Sequence, residues 1–173
     1  MYDIGILLNG YFILGMAEGL VLSDSTLKDL PEEAKDALKN QFNLAKLHVK
    51  CYGGYSSQNL IGPAGIVETL FDQMTHIKAL FLASRSNDAQ DYPDGSIETR
   101  TSKLLRDYKG LILALLQRYP GLQVFALPQQ RRLVATRGSQ KHLENFDPIY
   151  IDSQNSIIEL FQQSMIRSKK DFP

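Results

Sequence analysis

The sequence predicts an α/β domain, a three-layer sandwich around a central, mostly parallel sheet. Two observations carry this. Four short apolar runs, at residues 4–8, 47–51, 77–83 and 122–127, recur along the 173 residues. Stretches with apolar residues at helical spacing separate them. Parallel strands are covered by helices on both faces and so read as near-continuous apolar runs. The sequence contains no internal repeat, low-complexity segment or long linker, and residues 1–173 read as a single domain.

The elements follow in order. Ile4, Ile6, Leu7 and Leu8 form the first expected strand, closed by Asn9 and Gly10. Phe12, Ile13, Met16, Ala17 and Leu20 recur at helical spacing and predict a helix behind it. Pro31, followed by Glu32 and Glu33, opens the next helix: proline suits the first helical position, and acids suit the positive end of the dipole. The run around Leu47 and Val49 is a weaker strand. Ile66, Val67, Leu70, Phe71 and Met74 form a third helical face. Residues 77–83 are the clearest strand, and the polar stretch 84–95 follows. A long helix then carries Leu104, Leu105, Tyr108, Leu111, Ile112, Leu115 and Leu116 on one face, and Tyr119, Pro120 and Gly121 end it. Val124 and Phe125 lie in the last strand, closed by Pro128. A closing helix is expected over about 153–168, with Ile157, Ile158, Leu160, Phe161 and Met165 apolar.

At 43% hydrophobic and 22% charged residues, the chain excludes a mainly disordered protein, a collagen-like one and a disulfide scaffold. A chain of this length hides roughly two-thirds of its extended surface on folding, enough for one sizeable core. The single cysteine, Cys51, excludes an internal disulfide and fits a reducing, cytoplasmic setting. No apolar run reaches the roughly 20 residues of a membrane span, and no basic stretch precedes an apolar core as in a secretory signal. No membrane partner is therefore expected.

Zero net charge argues against a uniformly basic nucleic-acid binder, but the charges are unevenly distributed. From Arg100 to Lys141 there are nine basic residues and one acid, Asp107; from Met1 to Val49 seven acids face four lysines. Such asymmetry marks an interaction face or several separately solvated ones.

Several chemistries are absent. The sequence has no Gly-rich phosphate loop with its lysine and no Gly-x-Gly-x-x-Gly after the first strand. His48, His76 and His142 lie far apart and show no metal-ligand spacing. No metal or other cofactor is expected.

In a parallel sheet, ligands bind outside the carboxyl ends of the strands. The turns there form an ordered set: Asn9-Gly10-Tyr11, then Tyr52-Gly53-Gly54-Tyr55, then Ser84-Arg85-Ser86-Asn87-Asp88, and late in the chain Asp147-Pro148-Ile149-Tyr150. Their order and spacing resemble the SGNH, or GDSL, hydrolase superfamily over nearly the whole chain. The resemblance implies a serine nucleophile in a Gly-Asp-Ser turn after the first strand, and an oxyanion hole from a glycine after the second strand and the asparagine of Gly-x-Asn-Asp. It also implies an Asp-x-x-His base before the last helix. On this alignment Gly53 or Gly54 and Asn87-Asp88 are kept, Tyr11 stands at the nucleophile, Tyr150 at the base, and Arg85 where the family has glycine.

A tyrosine hydroxyl, with a pKa near ~10, is a poor unassisted base or nucleophile at neutral pH. The alignment therefore implies a hydrolase scaffold that has lost catalysis, with no catalytic residues. Ser23 and Ser25 lie beyond the expected helix, too far from the first expected strand to serve. Arginines beside exposed tyrosines suit single-stranded RNA, cations neutralising phosphates and rings stacking on bases. The RNA-binding set is Arg85, Arg131, Arg132, Arg137, Lys141, Lys169 and Lys170. A noncatalytic domain of this kind is similar to the OSK-type domains of insect germ-plasm proteins, which implies cytoplasmic messenger-RNA binding and a developmental role. The alternatives are an active SGNH esterase or acetyl hydrolase with an atypical site, and a module on the inactive cleft that binds other proteins or carbohydrate.

Overall fold

The computed structural model describes residues 17–24, 27–83, 88 and 96–127. The eight elements over them are β1 Glu18–Ser23, α1 Glu32–Gln41, β2 Lys46–Cys51, α2 Ser57–Ile61, α3 Ile66–Gln73, β3 Ile77–Ala83, α4 Ile97–Arg118 and β4 Gln123–Ala126. All strand pairings are parallel, in the order β2-β1-β3-β4. The α/β architecture with a central parallel sheet is as expected. The expected strands at 4–8 and helix at 153–168 lie outside the described residues.

The sheet separates two cores. Leu20 and Leu22 of β1, Leu80 and Leu82 of β3 and Val124 of β4 pack with Leu60, Val67, Phe71, Tyr108, Ile112 and Leu115 from α2, α3 and α4. Val21, Ala79 and Phe81 point the other way, onto Leu38 of α1, Phe42 and Leu44. Alternate residues of a strand face opposite sides, so one apolar run fills both cores. Phe81 is fully buried and stacks on Phe125 at 5.1 Å between centroids, while Phe42 meets both rings edge-on at 4.9 and 4.7 Å.

The start of the chain corrects the sequence reading. Leu20, expected at the end of a helix, lies inside strand β1. The run Gly19-Leu20-Val21-Leu22 is buried on both faces, and in so short an apolar run the period cannot separate helix from strand. Gly19 leaves room for its neighbours: a Cβ there would meet Leu44 Cδ1 at 2.7 Å, Leu47 Cδ1 at 3.0 Å and Phe81 Cε2 at 3.2 Å, and the Leu44 side chain would have to shift. Pro31 is the residue before α1 rather than its first helical one, with an extended ψ of 149°. Ser96 caps α4 by accepting the Thr99 N–H at 3.3 Å.

Candidate functional site at the carboxyl edge

The strand order places a switch point between β1 and β3. From β1 the chain crosses to β2 on one side; from β3 it continues to β4 on the other. The two departing connections leave a crevice outside the carboxyl ends of β1 and β3, where ligands bind in open α/β sheets.

The groups at this crevice are tied together. At the end of β1, the buried Ser23 hydroxyl donates to the Ala83 carbonyl at the end of β3, 3.0 Å away. The Ser23 carbonyl accepts the Tyr52 N–H at 2.9 Å, which fixes the turn after β2 to β1. Asp24, the next residue, is fully buried. Ser25 follows it in the chain, and two residues span at most about 7 Å beyond Ser23.

The turn after β2 runs through Gly53 and Gly54. Gly54 has φ +80°, a left-handed conformation that a side chain would strain. The rings of Tyr52 and Tyr55 stack at 5.6 Å with 25° between planes. Ser56 then closes the entry to α2, its N–H and its hydroxyl both donating to Asn59 Oδ1 at 3.0 Å.

Asp88 joins the third turn to the second. Its carboxylate, only 5% exposed, accepts the Ser57 N–H at 2.8 Å and the Ser57 hydroxyl at 2.6 Å. A buried carboxylate is stable only with such donors. Asn87 is the residue before this anchor. Ser57 and its bonds to Asp88 had no counterpart in the motif reading; the signal for α2 was Ser56 with Asn59 three positions on, an entry pattern akin to a capping box.

Cys51 ends β2 and is half-buried. Burial pushes its thiol pKa up, the carboxylates of Asp24 and Asp29 add to the rise, and Lys35 opposes it. A thiol held protonated is a poor nucleophile. The two described histidines are tied to the amino end of the sheet: His48, the third residue of β2, bonds Glu18, the first residue of β1, at 2.6 Å, and His76 directly precedes β3. Among the described residues no His, Cys, Asp and Glu cluster could hold a metal ion, and no helix is long and apolar enough to cross a membrane.

Among the described strands, β1 pairs with β2 along one side and with β3 along the other. The turn after this strand reads Ser23-Asp24-Ser25 where the SGNH pattern has Gly-Asp-Ser. Ser25 itself lies outside the described residues. Gly53 and Gly54 follow β2, and Asp88 comes five residues after the end of β3. Tyr11, Asn87, Tyr150 and the whole RNA-binding set of Arg85, Arg131, Arg132, Arg137, Lys141, Lys169 and Lys170 lie outside the described residues.

Among solved structures, the chain is similar to a protein from Parabacteroides merdae assigned as a GDSL-like lipase. The TM-score is 0.54 and the identity 12%, over 86% of this chain and 74% of that one. The likeness is one of fold, an α/β domain around a central parallel sheet. A phospholipase A1 from Streptomyces albidoflavus also matches, at a TM-score of 0.45 and 14% identity, over 87% of this chain and 77% of that one. No protein-family model and no curated protein matches the chain.

Proposed function

We propose that this protein is a serine esterase of the SGNH type, acting on acyl esters at the crevice between β1 and β3. The observation that carries the reading is the end of β1. It is the strand between β2 and β3, and in the sequence Ser25 directly follows its buried Ser23 and Asp24.

The chemistry divides as follows. Ser25 Oγ attacks the ester carbonyl while its proton passes to a base. The oxyanion that forms takes hydrogen bonds from a backbone N–H of Gly53 or Gly54 and from the Asn87 side chain, whose neighbour Asp88 is anchored to Ser57. The alcohol leaves with the proton, and water then cleaves the acyl-serine by the same steps. Tyr150, at the base position of the alignment, is too weak a base at neutral pH. His48 and His76 are tied to the amino end of the sheet. That leaves His142, the third histidine of the chain, as the imidazole.

A fluorophosphonate probe with peptide mapping tests this. It forms a bond to an activated serine and expels fluoride. Labelling at Ser25, lost in Ser25→Ala and in His142→Gln but kept in Tyr11→Phe, is the expected result. Absence of both labelling and ester turnover in the wild-type protein overturns the proposal. The noncatalytic reading, with single-stranded RNA on the basic loop, then takes its place.

A further inference from the structure

The turn after β2 carries a feature that ester hydrolysis itself does not require. Tyr55 is one of two large hydrophobic side chains that stand exposed among the described residues, at 39%. The other, Leu113, lies on α4. A lone exposed aromatic ring is common, but this one is built in. Tyr52 packs against the main core and is pinned through its N–H to the Ser23 carbonyl. The Tyr55 N–H bonds back to the Tyr52 carbonyl at 3.3 Å, and the two rings stack at 25°. Gly54 between them turns the chain at φ +80° so that the second ring can return over the first. The result is a stiff, two-ring platform at the carboxyl edge. It is linked by one hydrogen bond to the residue two positions before Ser25.

We infer that the Tyr52–Tyr55 stack is the substrate-specificity element of this site and selects esters that bear an aromatic ring. An exposed ring backed by another in parallel offsets little entropy when a third ring stacks on it, because neither tyrosine has to be ordered at that moment. A short alkyl chain gains no such stacking. The inference rests on the esterase reading for its kinetic consequence but not for its binding consequence.

Two measurements test it. The first compares hydrolysis of phenyl acetate with ethyl acetate in a pH-stat. The ratio of kcat/KM should favour the phenyl ester beyond the ratio of their hydroxide-catalysed rates. That excess should fall roughly three- to tenfold in Tyr55→Leu, which keeps bulk but not the ring, and survive in Tyr55→Phe. The second needs no turnover. With tyrosine rings carrying 13C, benzyl methyl ketone, the carbon isostere of phenyl acetate, should shift the Tyr55 ring signals. Methyl propyl ketone, the isostere of ethyl acetate, should not. If Tyr55→Leu keeps the full aryl excess, or if both ketones leave the ring signals unmoved, the stack is local packing and the inference falls. A protein that shifts its Tyr55 signals but hydrolyses neither ester has lost the esterase reading while keeping the platform.

Discussion

At the amino edge of the sheet, Glu18 of β1 and His48 of β2 bond across the strands at 2.6 Å, with 27% and 16% of their side chains exposed. At the carboxyl edge, Ser23, Asp24, Ser57 and Asp88 are all buried. Both edges bring together charged and polar side chains, and by residue type the amino edge, with two histidines nearby, looks the more catalytic. Its hydrogen-bonded pair, however, ties one strand to its neighbour and no departing turn to another. At the carboxyl edge each bond ties a strand end or a departing turn to the next: Ser23 to Ala83, Tyr52 to Ser23, Ser57 to Asp88. Catalysis needs loops held in register over a cleft, and only the second arrangement provides that. The comparison teaches that connectivity, not the presence of histidine, picks out the candidate edge.

The test most able to break the comparison is Ser25→Ala. Ester turnover should drop by about three orders of magnitude or more, since removing a nucleophile disables the whole triad. His48→Gln at the other edge should leave turnover within about twofold. A reversed outcome, read in the same pH-stat assay, would move the active site to the amino edge.

Both edges depend on one rigid sheet. Phe81→Ala should destabilise the fold by about 3–5 kcal/mol in chemical denaturation, because its ring is fully buried between Phe42 and Phe125. Phe125, only partly buried, should cost less when truncated. Equal losses would show that the second core is not centred on Phe81.

Most of this frame was legible in the sequence. The third apolar run matches β3 residue for residue, and the long helical face from Leu104 to Leu116 is the buried face of α4. What was illegible has a physical cause. A strand buried on both faces shows no alternation, so Leu20 fits the spacing begun by Phe12 and Met16, and β1 reads in the sequence as the tail of a helix. The signal that could have prevented it was Gly19-Leu20-Val21-Leu22 ending in Ser23-Asp24-Ser25, a strand followed by a turn. The Asp88–Ser57 anchor joins residues 31 apart and was beyond any local pattern.

That anchor gives a smaller effect. Ser57→Ala removes one donor to the Asp88 carboxylate and leaves the backbone N–H, so stability should fall by about 1–3 kcal/mol. If the bond also positions Asn87, fluorophosphonate labelling of the folded protein should slow further, and Ser57→Thr should restore it. Full labelling speed in folded Ser57→Ala would make the anchor a stabilising contact alone.

The smallest effect belongs to the amino edge, and its sign follows from the Glu18 carboxyl. The hydrogen bond from His48 holds the Glu18 pKa below its ordinary value near 4.5, with the charges of His48, Lys46 and His76 acting in the same direction and burial opposing them. A carboxyl whose pKa is lowered by folding stabilises the native state above its ordinary pKa. The contribution is lost as pH falls below about 4.5 and through the lowered native value. Glu18→Gln should therefore be less stable than the parent at pH 7, and the gap should narrow at pH 3.5. With 27% of the side chain exposed, the gap should also shrink in high salt. Urea titrations of both proteins at the two pH values read the difference. A gap that widens towards acid would mean that the Glu18–His48 pair does not stabilise the fold through the ionised carboxylate.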